Sequence, residues 1–155
     1  RYGDGELEDT PHFRGQLVHE IRRFKPDVVL AMDPVHNKSH AHRDHRVSGQ
    51  TALDACFPYS RDTLHFPKHL KDEGLDTHKV GMTLLWGTEN PDIAINIENT
   101  LDRKFEALAC HASQLDFGDE GIGAWQQRWS ERIAERSLES GYKYAEQFRS
   151  IKFWR

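Results

Sequence analysis

Four histidines, His36, His40, His42 and His45, fall within ten residues, and Asp44 stands among them. Neutral imidazole is the commonest protein ligand for metals, and a catalytic zinc usually takes three protein ligands and leaves a fourth position for water. A segment of this composition can supply part of a hydrolytic metal centre. The competing reading is a solvated polar loop that collects histidines. Position favours the metal. Asp27 through Met32 is a short apolar run with adjacent valines after Pro26, which reads as a buried parallel strand ended by Asp33-Pro34. The histidines follow at the carboxyl end of that strand, where open α/β sheets place their ligand crevices. A helix is expected next, from Arg46 to about Cys56.

The flanking elements follow from pattern. Asp9-Thr10-Pro11 offers a cap and a first-turn proline, and Phe13, Leu17, Val18, Ile21 and Phe24 recur at helical spacing until Lys25-Pro26 stops the helix. Helix, strand, histidine loop and helix in that order is the rhythm of an α/β layer fold. Residues 60–79 are polar, contain Pro67 and Gly74, and lack a clean period, so a surface loop is expected, with His65 and His69 in solvent. Val80–Trp86 reads as a second strand, and Ile93, Ile95 and Ile97 as a third. Leu101, Phe105 and Leu108 mark a helix ending near His111; Trp125, Trp129 and Ile133 mark another after Gly118, Gly121 and Gly123, with the tryptophans packing rather than stacking on substrate. Gly141 interrupts a last helical region, whose Tyr142, Tyr144, Phe148, Phe153 and Trp154 give it an aromatic face.

A chain of 155 residues suits a single domain, here residues 1–155. Hydrophobic content of 37%, charged content of 30% and a net charge of -4 fit a soluble globular protein and give no nucleic-acid footprint. No apolar run approaches the roughly 20 residues needed to span a bilayer. Cys56 and Cys110 lie in apolar helix-like segments and are expected as buried, reduced thiols, which suggests a reducing, cytoplasmic setting. Arg1 followed by Gly- and acid-rich residues reads as an internal start, with any targeting signal out of view.

Two metal families offer a template for the histidine loop. His40-Ala41-His42-Arg43-Asp44-His45 fits the H-x-H-x-D-H string of the metallo-β-lactamase superfamily over six residues. A wider resemblance runs along nearly the whole chain to the LmbE-like, or PIG-L, family of zinc-dependent N-acetylglucosaminyl deacetylases. Asp4-Gly5-Glu6-Leu7 resembles its D-G-x-L segment, and Arg14 through Val29 its R-x-x-L-V-x-x-I-R-x-x-x-P-D-V-V segment. His42-Arg43-Asp44-His45-Arg46, with Gly49, Ala52 and Leu53, resembles its H-P-D-H-R loop and helix. Lys104, Ala107-Leu108 and His111-Ala112-Ser113-Gln114 resemble its K-x-x-A-L-x-x-H-x-S-Q helix end, and Tyr144-Ala145-Glu146-Gln147-Phe148 its Y-A-E-x-F close.

That resemblance implies an α/β, Rossmann-like three-layer α/β/α sandwich with a mostly parallel sheet. It implies hydrolysis of the acetyl group of an N-acetylated amino-sugar conjugate, with Zn2+, or alternatively Fe2+, as cofactor. It assigns His45 as a metal ligand, His42 as the group that stabilises the oxyanion or protonates the leaving amine, and Asp44 as the residue that orients and tunes His42. Glu146 reads as an exposed helical carboxylate, and His111 as either a helix cap or a pocket residue. Two departures accompany the match: Arg43 replaces the usual proline, and the family's H-P-D-D string, which carries two ligands and the general base, does not occur. The expectation is an N-terminally truncated deacetylase domain that, in these 155 residues alone, binds zinc weakly and does not turn over. The alternatives are a metallo-β-lactamase-like hydrolase using His40, His42, Asp44 and His45, and a non-catalytic metal patch of His36, His40, His42 and His45. Oligomerisation is left open.

Overall fold

The computed structural model describes residues 2–115, 117 and 121–153. Helix α1 spans Pro11–Phe24, with the Thr10 side chain accepting the Phe13 amide at its start. It ends at Lys25, whose left-handed backbone at φ 50° lets its amide reach Ile21 O just before Pro26. Strand β1 is Val28–Met32, and α2 is Arg43–Asp54, starting three residues earlier than the expected Arg46 because His42 caps it. A π-helical turn over Ala55–Tyr59, a short α3 over Pro67–Lys71, β2 at Met82–Trp86 and β3 at Ile93–Asn96 follow. Helices α4, Leu101–Ala109, and α5, Gly121–Ser137, precede β4, Ala145–Lys152.

The strands are ordered β1-β2-β4-β3. Strand β1 pairs parallel with β2, Leu30 opposite Leu84, and β4 pairs antiparallel with β2, Ser150 opposite Leu84. The α/β architecture is as the sequence implies, but the sheet is not wholly parallel. None of the described helices is long and apolar enough to cross a membrane.

Contacts divide the chain into two compact units, residues 1–92 with 148–155, and residues 93–147. In the first, Val18 and Ile21 of α1 pack with Ala55, Cys56 and Val80, and Val29 of β1 joins them. Burial pushes the Cys56 thiol up to about 11, so it stays protonated and inert. In the second, Ile97, Leu101, Phe105, Trp125 and Ile133 form the core, so Trp125 packs as expected. Cys110 is exposed, contrary to expectation, because it caps the end of α4, whose buried face is carried by Leu101 and Phe105.

Three further expectations are corrected. The tail is a strand: Ala145 and Phe148 are both buried three residues apart, which imitates helical spacing, but pairing with β2 at residues 149–152 and the bond from the Asp92 amide to Phe148 O go with an extended backbone. Glu146 therefore sits on β4, ion-paired with Lys104. Residues 60–79 are not a featureless loop, for the fully buried Arg22 of α1 donates to the carbonyls of Tyr59, Asp62, His65 and Phe66, with a longer contact to Ser60 O, and gathers the segment around its guanidinium. His65 and His69 are consequently half-buried rather than in solvent. The expectations for Gly118 and Trp154 lie outside the described residues.

Two contacts fix the end of β1. A Cβ on Gly49 of α2 would lie 2.2 Å from Met32 O, so only glycine lets α2 cross the strand end this closely. Gly49→Ala should cost about 3 kcal/mol, the upper end for overpacking because the obstacle is backbone; chemical denaturation checks this. One residue on, the Asp33 carboxylate, 1% exposed, takes a two-pronged pair from Arg149 of β4, Nε to Oδ2 and Nη2 to Oδ1, both at 2.7 Å. Burial pushes Asp33 up, but hydrogen bonds from Arg149, the Val35 amide and Thr88 outweigh it and bring the pKa down to about 2. Because the folded value is depressed, the pair stabilises fully above the usual carboxylate range and is lost as pH falls through about 2. Arg149→Met should cost about 3 kcal/mol, the lower end for breaking a buried pair because the arginine keeps some solvent contact. It should also flatten that acid limb in denaturation curves recorded as a function of pH.

Candidate metal-hydrolase site

The histidine loop starts where Asp33 is pinned. Asp33 Oδ1 accepts the Val35 amide at 3.0 Å, and His36 Nε2 lies 2.9 Å from Asp33 O, so the backbone turns sharply off the strand. Glu89 then takes the amides of Asn37, Lys38 and Ser39, at 2.7 to 3.0 Å, and the Ser39 hydroxyl at 3.0 Å. These donors, led by the Asn37 amide, hold the Glu89 carboxyl below its usual range. His36 is thereby occupied in holding the loop, its Nδ1 3.4 Å from Ser39 Oγ and 3.9 Å from Glu89.

His42 caps α2 with its ring: Nδ1 accepts the Asp44 amide at 3.3 Å. That bond assigns the proton of the neutral imidazole to Nε2, which faces Asp4 Oδ1 at 3.6 Å. The Asp44 carboxylate, whose nearer approach to His42 Nδ1 is 4.0 Å, is used elsewhere. Its Oδ2 accepts the Gly5 amide at 2.8 Å and its Oδ1 the Leu7 amide at 3.1 Å. The Gly5 amide first, with that of Leu7 and the charges of His42 and Arg43, holds Asp44 below the usual carboxylate range against the burial that opposes it. Asp44 therefore fastens the opening segment to the histidine loop and brings Asp4 to His42. The exposed His45 ring lies one helical turn on, its centroid 5.5 Å from that of His42.

The structure thus brings His42, Asp44 and His45 together and leaves His36 bound to the loop base. His40 is exposed. Among the described residues, the one group of three donors able to share an ion is Asp4, His42 and Asp44, whose ligand atoms lie within 4.8 Å of one another. Imidazole and carboxylate donors of this kind, with the His45 imidazole alongside, fit zinc or ferrous iron by donor chemistry. Neither the four-histidine patch nor the set His40, His42, Asp44 and His45 forms such a group among the described residues.

Sequence reasoning did not single out Asp4, Asp33, Glu89 or Arg149 for this site. Asp33 had a signal in its place at the carboxyl end of a strand. Arg149, 116 residues away, and Glu89, about 50 away, had none, since only the folded backbone brings them there.

No family model matches the chain. The chain is 27% identical over 150 residues to the diacetylchitobiose deacetylase of Thermococcus kodakarensis, covering 97% of this chain and 54% of the relative. It is 30% identical over 135 residues to the mycothiol S-conjugate amidase of Streptomyces coelicolor, covering 85% of this chain and 39% of the relative. The N,N'-diacetylchitobiose deacetylase of Pyrococcus horikoshii superposes with a TM-score of 0.82 at 26% identity, over 98% of this chain and 55% of that one. A 4-carboxy-2-hydroxymuconate hydratase from Pseudomonas putida, at 20% identity and a TM-score of 0.68 over 96% of this chain and 61% of its own, shares the fold. The class is thus an α/β fold that carries more than one reaction. Within it, the deacetylase and amidase relatives are members of the LmbE-like, or PIG-L, family, which this chain resembles along nearly its whole length. The chain spans about half the length of the relatives it matches, 54% and 39% of the two curated ones.

Glu89→Ala should speed hydrogen exchange at the amides of residues 37–39 by about tenfold, the scale of a lost charge-assisted hydrogen bond. The amides of α2 should be unaffected, and amide exchange followed by NMR checks both.

Proposed function

We propose that this chain is the part of a metal-dependent N-deacetylase that supplies His45 as a metal ligand and His42 as the group facing the reacting amide. The substrate class is an N-acetylglucosamine-type amino sugar or its conjugate. The observation that carries the reading is the seating of His42 and His45 side by side at the start of α2, directly after a strand end locked by Asp33 and Gly49. Deacetylase and amidase relatives along nearly the whole chain support it.

When bound, zinc or ferrous iron would supply Lewis acidity to polarise the acetyl carbonyl and to make water nucleophilic at neutral pH. His45 would hold the metal through its imidazole. His42 keeps a proton on Nε2, the nitrogen that faces outward, and so can donate to the developing oxyanion or to the leaving amine. Asp44 acts through position: its two backbone bonds hold Asp4 against His42, which sets the ring and favours the Nε2 proton. The H-P-D-D ligands and base are not among these residues, so the 155-residue chain alone does not turn over.

The test is acetate release from N,N'-diacetylchitobiose and N-acetylglucosamine by a form extended upstream through an H-P-D-D segment. His42→Ala should lower kcat by about 10²- to 10⁴-fold. His45→Ala should remove both activity and bound metal. Acetate release by the 155-residue chain at the rate of the extended form, or full activity in His42→Ala, would overturn the reading.

A further inference from the structure

Away from the histidine loop, His19 on α1 bridges two carboxylates. Its Nδ1 lies 2.9 Å from Glu20 Oε1 and its Nε2 lies 2.7 Å from Glu73 Oε2. Glu73 stands just beyond α3, beside Gly74 at φ 67°. A carboxylate only accepts, and a neutral imidazole has one N–H, so both bonds exist together only for imidazolium. After loss of the proton, a ring lone pair would face a carboxylate oxygen at hydrogen-bond distance.

We infer that His19 is a proton-operated latch that fastens the segment around α3 to α1. Other contacts place the segment without closing it at this point. Arg22 gathers its first half, residues 59–66, and the Phe66 ring sits in the notch left by Gly15, where an added Cβ would come within 2.9 Å. Beyond Phe66, the bond to Glu73 ties the far side of α3 back to the helix, next to the edge-on contact of His69 with His19. The latch borders a cleft of about 410 Å³ lined by His12, Gln16, His19, Glu20, Phe66 and His69.

The charges around His19 come from both elements. On α1, Arg23 holds the second oxygen of Glu20 at 3.3 Å, and Arg22 lies near His69. From α3, the His69 ring stands edge-on to His19 at 5.3 Å and stacks on Phe66. Burial, Arg22 and His19 itself all disfavour charge on His69, which leaves His19 as the protonated member of the pair. The bonds from Glu20 and Glu73 hold His19 above the usual histidine range. The latch is therefore closed below that range and opens as pH rises through the raised value.

The experiment is amide exchange at Asp72 and Leu75, whose amides bond Lys68 O and His69 O, as protection relative to the unstructured rate at each pH. Between pH 5.5 and 8.5, the wild-type protection should fall by roughly threefold, the scale of a partly exposed ion pair. In Glu73→Gln and in His19→Gln it should be low and flat. Imidazole ¹⁵N spectra should show both His19 nitrogens protonated at the acid end. Flat wild-type protection, a pH step surviving in Glu73→Gln, or a singly protonated His19 at the acid end would each overturn the latch.

Discussion

The buried fork between Asp33 and Arg149 is the contact on which the site's geometry depends. A carboxylate 1% exposed at a strand end demands a matched cation, and β4 delivers it by running antiparallel beside β2. The same Asp33 turns the chain out of the sheet through Val35 and His36. Gly49 then brings α2 against the preceding residue, Met32. The start of α2, with His42 and His45, is therefore set by backbone geometry and one ion pair, before any ligand enters.

That arrangement separates fold from chemistry. A hydratase shares the architecture at 20% identity, so the sheet and helices do not choose a reaction. What this chain places on that architecture is a donor set at the strand end, with a division of labour between neighbours. His36 is spent on holding the loop, Asp44 on holding the opening segment, and His42 and His45 are left facing outward.

Much of this was legible in the sequence, for identifiable reasons. The strand at Val28–Met32, the helix capped by Thr10 and the histidine loop between strand and helix follow from local period and capping chemistry. The motif at 42–45 also led to the family the relatives show. The errors fell where distant contacts override local pattern. The aromatic spacing of Tyr144 and Phe148 reads as helix, yet Ala145–Lys152 is strand, held by β2 at residues 149–152 and by the Asp92 amide at Phe148 O. The polar stretch at 60–79 reads as a loop, yet Arg22 organises it through its carbonyls. Asp44 is a different case: its oxygens accept the Gly5 and Leu7 amides, a role that its place beside His42 does not announce.

The most direct test of the site is elemental zinc content, after dialysis, of the 155-residue chain and of a form extended upstream, each beside His45→Ala. The expected result is little zinc on the short chain, and one zinc per extended chain that is lost with His45. Tight stoichiometric zinc on the short chain that survives His45→Ala would contradict the assignment and favour a self-contained site built on Asp4, His42 and Asp44.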